Sequence, residues 1–169
     1  MQVLKWIVIV VVGLALLVLL AGQLGLLKGK PPSRLGLADG RLKPPSKTPN
    51  SVTSQADLHP DHPMRDYARI EPLRYTGDAV AAMARLKAII EDTPGSQIVT
   101  SEPLYLYATM QTRLMKYTDD VEFAVPDPAA GVIHVRSSSR LGRKDFGANR
   151  TRIEAIRARF NQASLPASS

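Results

Sequence analysis

Several groups of side chains in this sequence have the types and spacing that site chemistry uses. Asp57, His59, Asp61 and His62 alternate closely enough to suggest a metal site. They sit among prolines at Pro60 and Pro63, with no helix or strand to fix ligand distances, so a solvated loop is expected instead. Ser137, Ser138 and Ser139 carry hydroxyls, but no His–acid pair adjoins them, and a nucleophile is not expected there. Asp119 and Asp120 resemble paired carboxylates. Neighbours in a strand point to opposite faces, so the two do not converge, and a turn with an ion pair explains them better. Arg140, Arg143, Lys144, Asn149 and Arg150 surround the start of the last helix. Basic groups beside free helix N–H groups make a candidate anion site. The plainer reading is a solvated basic rim in which Asp145 caps the helix.

The elements that position these groups follow from hydrophobic period. Thr76-Gly77-Asp78 reads as a helix start, and Ala79, Met83, Leu86 and Ile90 recur at helical spacing until Thr93-Pro94-Gly95. Strands are predicted over 97–101, 104–114, 121–125 and 132–138, with a hairpin at 126–131 and an edge strand within 69–73. A second helix is predicted over 149–162, with Ile153, Ile156 and Phe160 on one face. Alternation sorts the sheet into an aliphatic face, which takes the helices, and an open polar face. On the polar face lie Tyr105, Tyr107 and Arg113, then Asp120 and Glu122, then His134 and Arg136. Parity puts Glu122 opposite Arg136 or His134, and Arg113 opposite Glu122 or Asp120. A row of carboxylates between two arginines is therefore expected. It either fixes register alone or, with Tyr105 and Tyr107, lets Arg136 contact a ligand.

Ahead of this domain the chain is of another character. From Trp6 to Leu27 the only polar side chain is Gln23. About 20 apolar residues span a hydrocarbon core of roughly 30 Å as a helix. Lys5 precedes the run, and Lys28 and Lys30 follow it. A cleaved signal usually has a shorter apolar region and a small-x-small site, which Leu19-Leu20-Ala21 does not provide. An uncleaved signal-anchor is expected. The net charge of +7 is uneven: residues 28–50 carry +5, residues 51–133 carry −5 and residues 134–169 carry +6. Basic residues beside a bilayer favour anionic lipid. Nucleic acid, the other partner of basic chains, is not expected without a recognisable binding motif. Counting Lys and Arg around the span places the domain in the cytoplasm, whereas the very short basic tail is also how an export anchor begins. Residues 28–65, rich in Pro, Gly, Ser and Lys, read as a tether that docks in part at most.

Asp119-Asp120-Val121-Glu122-Phe123, Arg136 through Gly142, and Asp145 through Glu154 resemble the signature blocks of the bacterial and plastid family called domain of unknown function 1499. Pro49 through Ser54 resembles its N-terminal block, and the resemblance runs from about Leu42 to Phe160. The family commonly has cysteines at the positions of Pro45 and Ser51, and this chain has no cysteine. Their joint loss implies a dispensable disulfide rather than a metal or redox centre. The resemblance implies an exported setting, and so a periplasmic domain, against the charge count. It implies no activity.

The expected protein is α+β: a short tail (1–5), a transmembrane helix (6–27), a tether (28–65), a domain (66–162) and a flexible tail (163–169). The domain is a two-layer sandwich, an antiparallel meander sheet with two helices on one face. The expected role is a non-catalytic envelope module in a bacterial inner membrane, binding a partner protein or an anionic lipid or metabolite. The alternative is a hydrolase or transferase on the open sheet face. The candidate binding residues are Tyr105, Tyr107, Arg113, Glu122, Arg136, Arg140, Asn149 and Arg150, and neither metal nor cofactor is expected.

Overall fold

The computed structural model describes residues 1–163. Of the expected tail, Ala163 is the C-cap of the last helix, and 164–169 lie outside the described residues. Helix α1 (Gln2–Gln23) starts four residues before the expected 6–27 span and ends four before it, the apolar residues 24–27 forming turns, and its membrane-length core is exposed along its sides. The domain contains strands β1 (Ser51–Thr53), β2 (Leu73–Arg74), β3 (Ser96–Glu102), β4 (Tyr105–Gln111), β5 (Thr118–Ala124) and β6 (Val132–Ser139). Helices α2 (Arg65–Ala68), α3 (Ala79–Glu91) and α4 (Ala148–Gln162) complete it.

The sheet runs β1-β6-β5-β4-β3 with every pairing antiparallel, and β2 extends the β1 edge along β6. Alternation decides the layers. Leu106, Ala108, Met110, Val121, Phe123, Ile133 and Val135 enter one core with Met83, Leu86 and Ile90 of α3 and Ile153, Ile156 and Phe160 of α4. Helix α3 begins where Asp78 accepts the Ala81 N–H at 2.8 Å, satisfying a donor that the first turn leaves free. Burying one such aliphatic or aromatic side chain stabilises by about 1.5–3 kcal/mol, which fixes the helices to this face.

Two expectations about chain course are corrected. The strand predicted to run to Leu114 ends at Gln111. The chain then turns, Thr112 receiving the Lys116 N–H and donating its own N–H to the Tyr117 carbonyl. The stretch read as a tether is docked over much of its length. Within it, Ser51–Thr53 form an edge strand on β6, and Leu42, Val52 and Gln55 are buried. Residues 28–46 form a strap across the polar face of the sheet. Gly36 reaches Glu122 there, and Pro44 reaches Arg136.

Candidate functional site

Strands β4, β5 and β6 bring most of the predicted polar residues onto one face. Their register pairs Glu122 with Arg136 and with Tyr107, and pairs Asp120 with Ser138 and Thr109. Glu122 is fully buried and Arg136 nearly so. Arg136 Nη1 lies 3.9 Å from Glu122 Oε2, and its Nε donates to the Pro44 carbonyl at 3.3 Å. Glu122 Oε1 accepts the Gly36 N–H at 2.7 Å and the Tyr105 hydroxyl at 2.9 Å. Its Oε2 accepts no hydrogen bond from any described residue.

A second pair lies beside the first. Arg140 grips Asp120 with Nε and Nη2, the shortest contact being 2.7 Å. Tyr107 donates to the same carboxylate at 2.6 Å. This is the bidentate fork that makes Arg–carboxylate pairs strong. The expected row of carboxylates between two arginines is corrected: both arginines, Arg136 and Arg140, come from the β6 side, and Tyr105 and Tyr107 stand on the β4 side where Arg113 was expected. Arg140 follows Arg136 and Ser138 at even spacing, so it falls on the same face. Arg113 lies in the β4–β5 turn, exposed and outside the ladder.

Burial and charge set the chemistry of this face. Burial, helped by Glu122, pushes the Tyr105 phenol above its ordinary value. Burial, with Asp120 adding and Arg140 opposing, pushes Tyr107 up to about 12. Both phenols are thus neutral donors near neutral pH. Burial pulls Arg136 down from its ordinary value against the pull of Glu122 and Asp120, while the hydrogen bond to Asp120 raises Arg140. Each carboxylate is already held by a phenol and a guanidinium.

The other acid, Asp119, points to the opposite face and pairs with Arg152 of α4. The two adjacent aspartates indeed do not converge, but both lie within β5 rather than in a turn. Beneath Arg152 lies a buried polar network. Asn149 accepts from Ser137 Oγ at 2.5 Å and from Arg152 at 2.9 Å. Its amide nitrogen donates to Asp145, Ser139 and the Asn50 carbonyl at 2.8, 3.0 and 3.1 Å. Asp145 accepts the Gly147 and Asn149 N–H groups at 3.0 and 3.1 Å, and the Tyr67 hydroxyl. Burial opposes its charge, but these donors prevail and hold it below the usual carboxylate range.

The expected anion site at the start of α4 is therefore filled from within. Asp145 takes the free N–H groups, Arg140 turns to Asp120, and Arg150 donates to the Tyr67 carbonyl at 2.6 Å. Arg143 and Lys144 are exposed on the rim. In the His–Asp loop, Asp57 binds Arg69, and His62 Nδ1 accepts the Met64 N–H at 3.1 Å. Among the described residues no group of three His, Cys, Asp or Glu could hold a metal ion.

The expected open face is thus covered, and what remains accessible lies beside the strap. A groove of about 610 Å³ runs between Leu35, Gly36 and Leu37 and the side chains of Val99, Tyr105 and Tyr107. One of about 340 Å³ adjoins Lys28, Leu35, Tyr107 and Arg140. Another, of about 250 Å³, is walled by Lys30, Lys43, Arg136 and Arg140. The strap was missed as part of the site because it docks through a backbone N–H and a carbonyl, which no side-chain pattern announces.

Residues 41–160 match the family described as Protein of unknown function (DUF1499), and the chain belongs to that family. No curated protein matches the chain.

Proposed function

For this member of the family of unknown function, we propose a single-pass envelope protein, held by α1 in a bacterial inner membrane with its domain in the periplasm. The domain binds an anionic lipid or metabolite rather than catalysing a reaction. The anchor reading is supported by the length, composition and exposure of α1. The end of α1 is also built into the domain: Gly22 is buried, and Gln23 donates to the Leu114 carbonyl at 2.8 Å. The periplasmic side rests on the resemblance to exported relatives and on the short N-terminal tail, and the basic flank opposes it.

The observation that carries the binding reading is the set of grooves beside the strap. The groove beside Lys28 and Arg140 sets these cations against Leu35 and Tyr107, and the one walled by Lys30, Lys43, Arg136 and Arg140 holds one acid, Asp120, while the largest is lined by Leu35, Tyr105 and Tyr107 with Glu102. A few polar groups on a largely preformed apolar wall are what a small-molecule site presents. A hydrolase or transferase that used the carboxylates of this face would need one of them free to exchange protons. Asp120 and Glu122 instead lie buried in hydrogen bonds with arginine or tyrosine. Native mass spectrometry of the full chain from zwitterionic detergent tests the reading. Phosphatidylglycerol should be retained over phosphatidylcholine, and Lys30→Glu with Lys43→Glu should weaken the preference. No preference in the parent, or an unchanged one in the variant, overturns it.

A further inference from the structure

The end of the domain nearest α1 carries a second surface, distinct from the grooves. Residues 112–117 link β4 to β5, and residues 140–147 link β6 to α4. Both loops lie at the same end of the sheet, since Gln111 pairs with Thr118 and Asp119 with Ser139. Both also touch the end of the apolar run. Gln23 is bound to the Leu114 carbonyl. A side chain at Gly22 would come within 2.6 Å of the Met115 carbonyl oxygen, and one at Gly29 within 2.9 Å of Leu141 Cγ. The apolar run ends at Leu27, so these contacts set the two loops at the level where the hydrocarbon core gives way to headgroups.

What the loops expose suits that level. Beyond residue 30, eight large hydrophobic side chains are exposed among the described residues, and four belong to these loops: Leu114, Tyr117, Leu141 and Phe146. Phe146 is 95% exposed and has φ 51°. A bulky residue rarely adopts that left-handed backbone, and such departures cluster at functional surfaces. Interleaved with them are Arg113, Lys116, Arg143 and Lys144, none in an ion pair among the described residues. The acids at this end are already engaged, Asp92 by Arg159, Asp119 by Arg152, Asp120 by Arg140, and Asp145 of the second loop, buried, by Tyr67 and Asn149. The surface is therefore apolar at its tips and positive between them.

We propose that the 112–117 and 140–147 loops dock the domain on an anionic bilayer surface, with Leu114, Leu141 and Phe146 entering the interface and Arg113, Lys116, Arg143 and Lys144 meeting lipid phosphates. The proposal rests on α1 spanning the membrane. Apolar tips between basic residues gain from both acyl-boundary burial and attraction to anionic lipid, and two such signals hold a surface where one does not. Docking would also fix the domain's orientation on its helix and turn the strap grooves to a constant height above the bilayer.

The chain has no cysteine, so single cysteines can carry a nitroxide in the full-length protein. They are placed at Leu141 and Phe146, at Leu14 within α1 and at Ser101 at the far end of the sheet. The protein is reconstituted in vesicles of equal phosphatidylglycerol and phosphatidylcholine, or of phosphatidylcholine alone. The ratio of oxygen to nickel-chelate collision should be several-fold higher at Leu141 and Phe146 than at Ser101. It should fall toward the Ser101 value in phosphatidylcholine alone, and also when Arg113, Lys116, Arg143 and Lys144 are changed to Glu. Loop labels as aqueous as Ser101, with Leu14 embedded, overturn the docking alone. An aqueous Leu14 overturns the anchor and the docking with it. Loop labels equally embedded in both lipid mixtures overturn the charge recognition.

Discussion

Replacing Arg136 with Met should destabilise the domain by about 3–5 kcal/mol, because it leaves a buried carboxylate without its counter-charge. The size follows from the geometry. Glu122 is 0% exposed and Arg136 5% exposed. At the 3.9 Å between their charged atoms, the gross attraction is about 4 kcal/mol at an effective dielectric constant near 20. Water cannot take over the role of the guanidinium, and Glu122 Oε2 accepts no other hydrogen bond among the described residues. Glu122→Gln removes the charge but keeps the acceptor for Gly36 and Tyr105. Adding it to Arg136→Met should restore most of the loss, to within about 1–2 kcal/mol of the parent. The assay is thermal and urea unfolding of the full chain in detergent, followed by near-UV circular dichroism. The single variant should lose about 10–20 °C in its midpoint, given several degrees per kcal/mol for a domain of this size. A loss under about 1 kcal/mol, or a double variant no better than the single one, would refute the buried pair as a brace. Lipid retention measured in parallel separates the roles. A stable Arg136→Met protein that no longer prefers phosphatidylglycerol would make Arg136 a ligand contact instead.

Other expectations are independent of that pair. Gly36→Pro cannot keep φ +86° and removes the N–H given to Glu122. It should lower stability by about 1–3 kcal/mol and loosen the strap backbone enough for trypsin to cut after Arg34 and Arg41; a cleavage pattern like the parent's would show that the strap is held elsewhere. Asn149→Ala leaves Ser137, Asp145 and Arg152 short of a partner. It should lower stability by about 2–4 kcal/mol in urea titrations, and a change under about 0.5 kcal/mol would contradict the network. Asp145 has a folded pKa below its unfolded value. Its contribution is full above about pH 4 and is lost as pH falls through the depressed value. Tyr67→Phe removes a donor, so that variant should start less stable and lose less on acidification; parallel curves for the two proteins would reject the assignment.

Pleat parity made much of the candidate site legible. Because Val121 and Phe123 share the core with Ile133 and Val135, Glu122 had to face Arg136 or its neighbour, and the register pairs the two. The same rule failed for Arg113 because it presumes that the strand continues. Alternation persists in the residue types to Leu114, but a backbone turn at Thr112 ends the ladder. Arg140 was legible by even spacing from Arg136 but was assigned to the helix start, where local sequence placed it. The strap was not legible. Its Pro- and Gly-rich composition has no period, and its hold on the face comes from the Gly36 N–H and the Pro44 carbonyl. The three-residue strand β1 is equally silent, since an edge pairing that short leaves no alternation to read.

Membrane attachment through an intact α1 underlies both the binding and the docking proposals. Membranes carrying the full chain are washed with high salt and then with alkaline carbonate, and the retained protein is sequenced from its N-terminus. Retention of a chain that still carries the whole of α1 is the expected result. Release into the soluble fraction, or a mature N-terminus near Gly22, would contradict it.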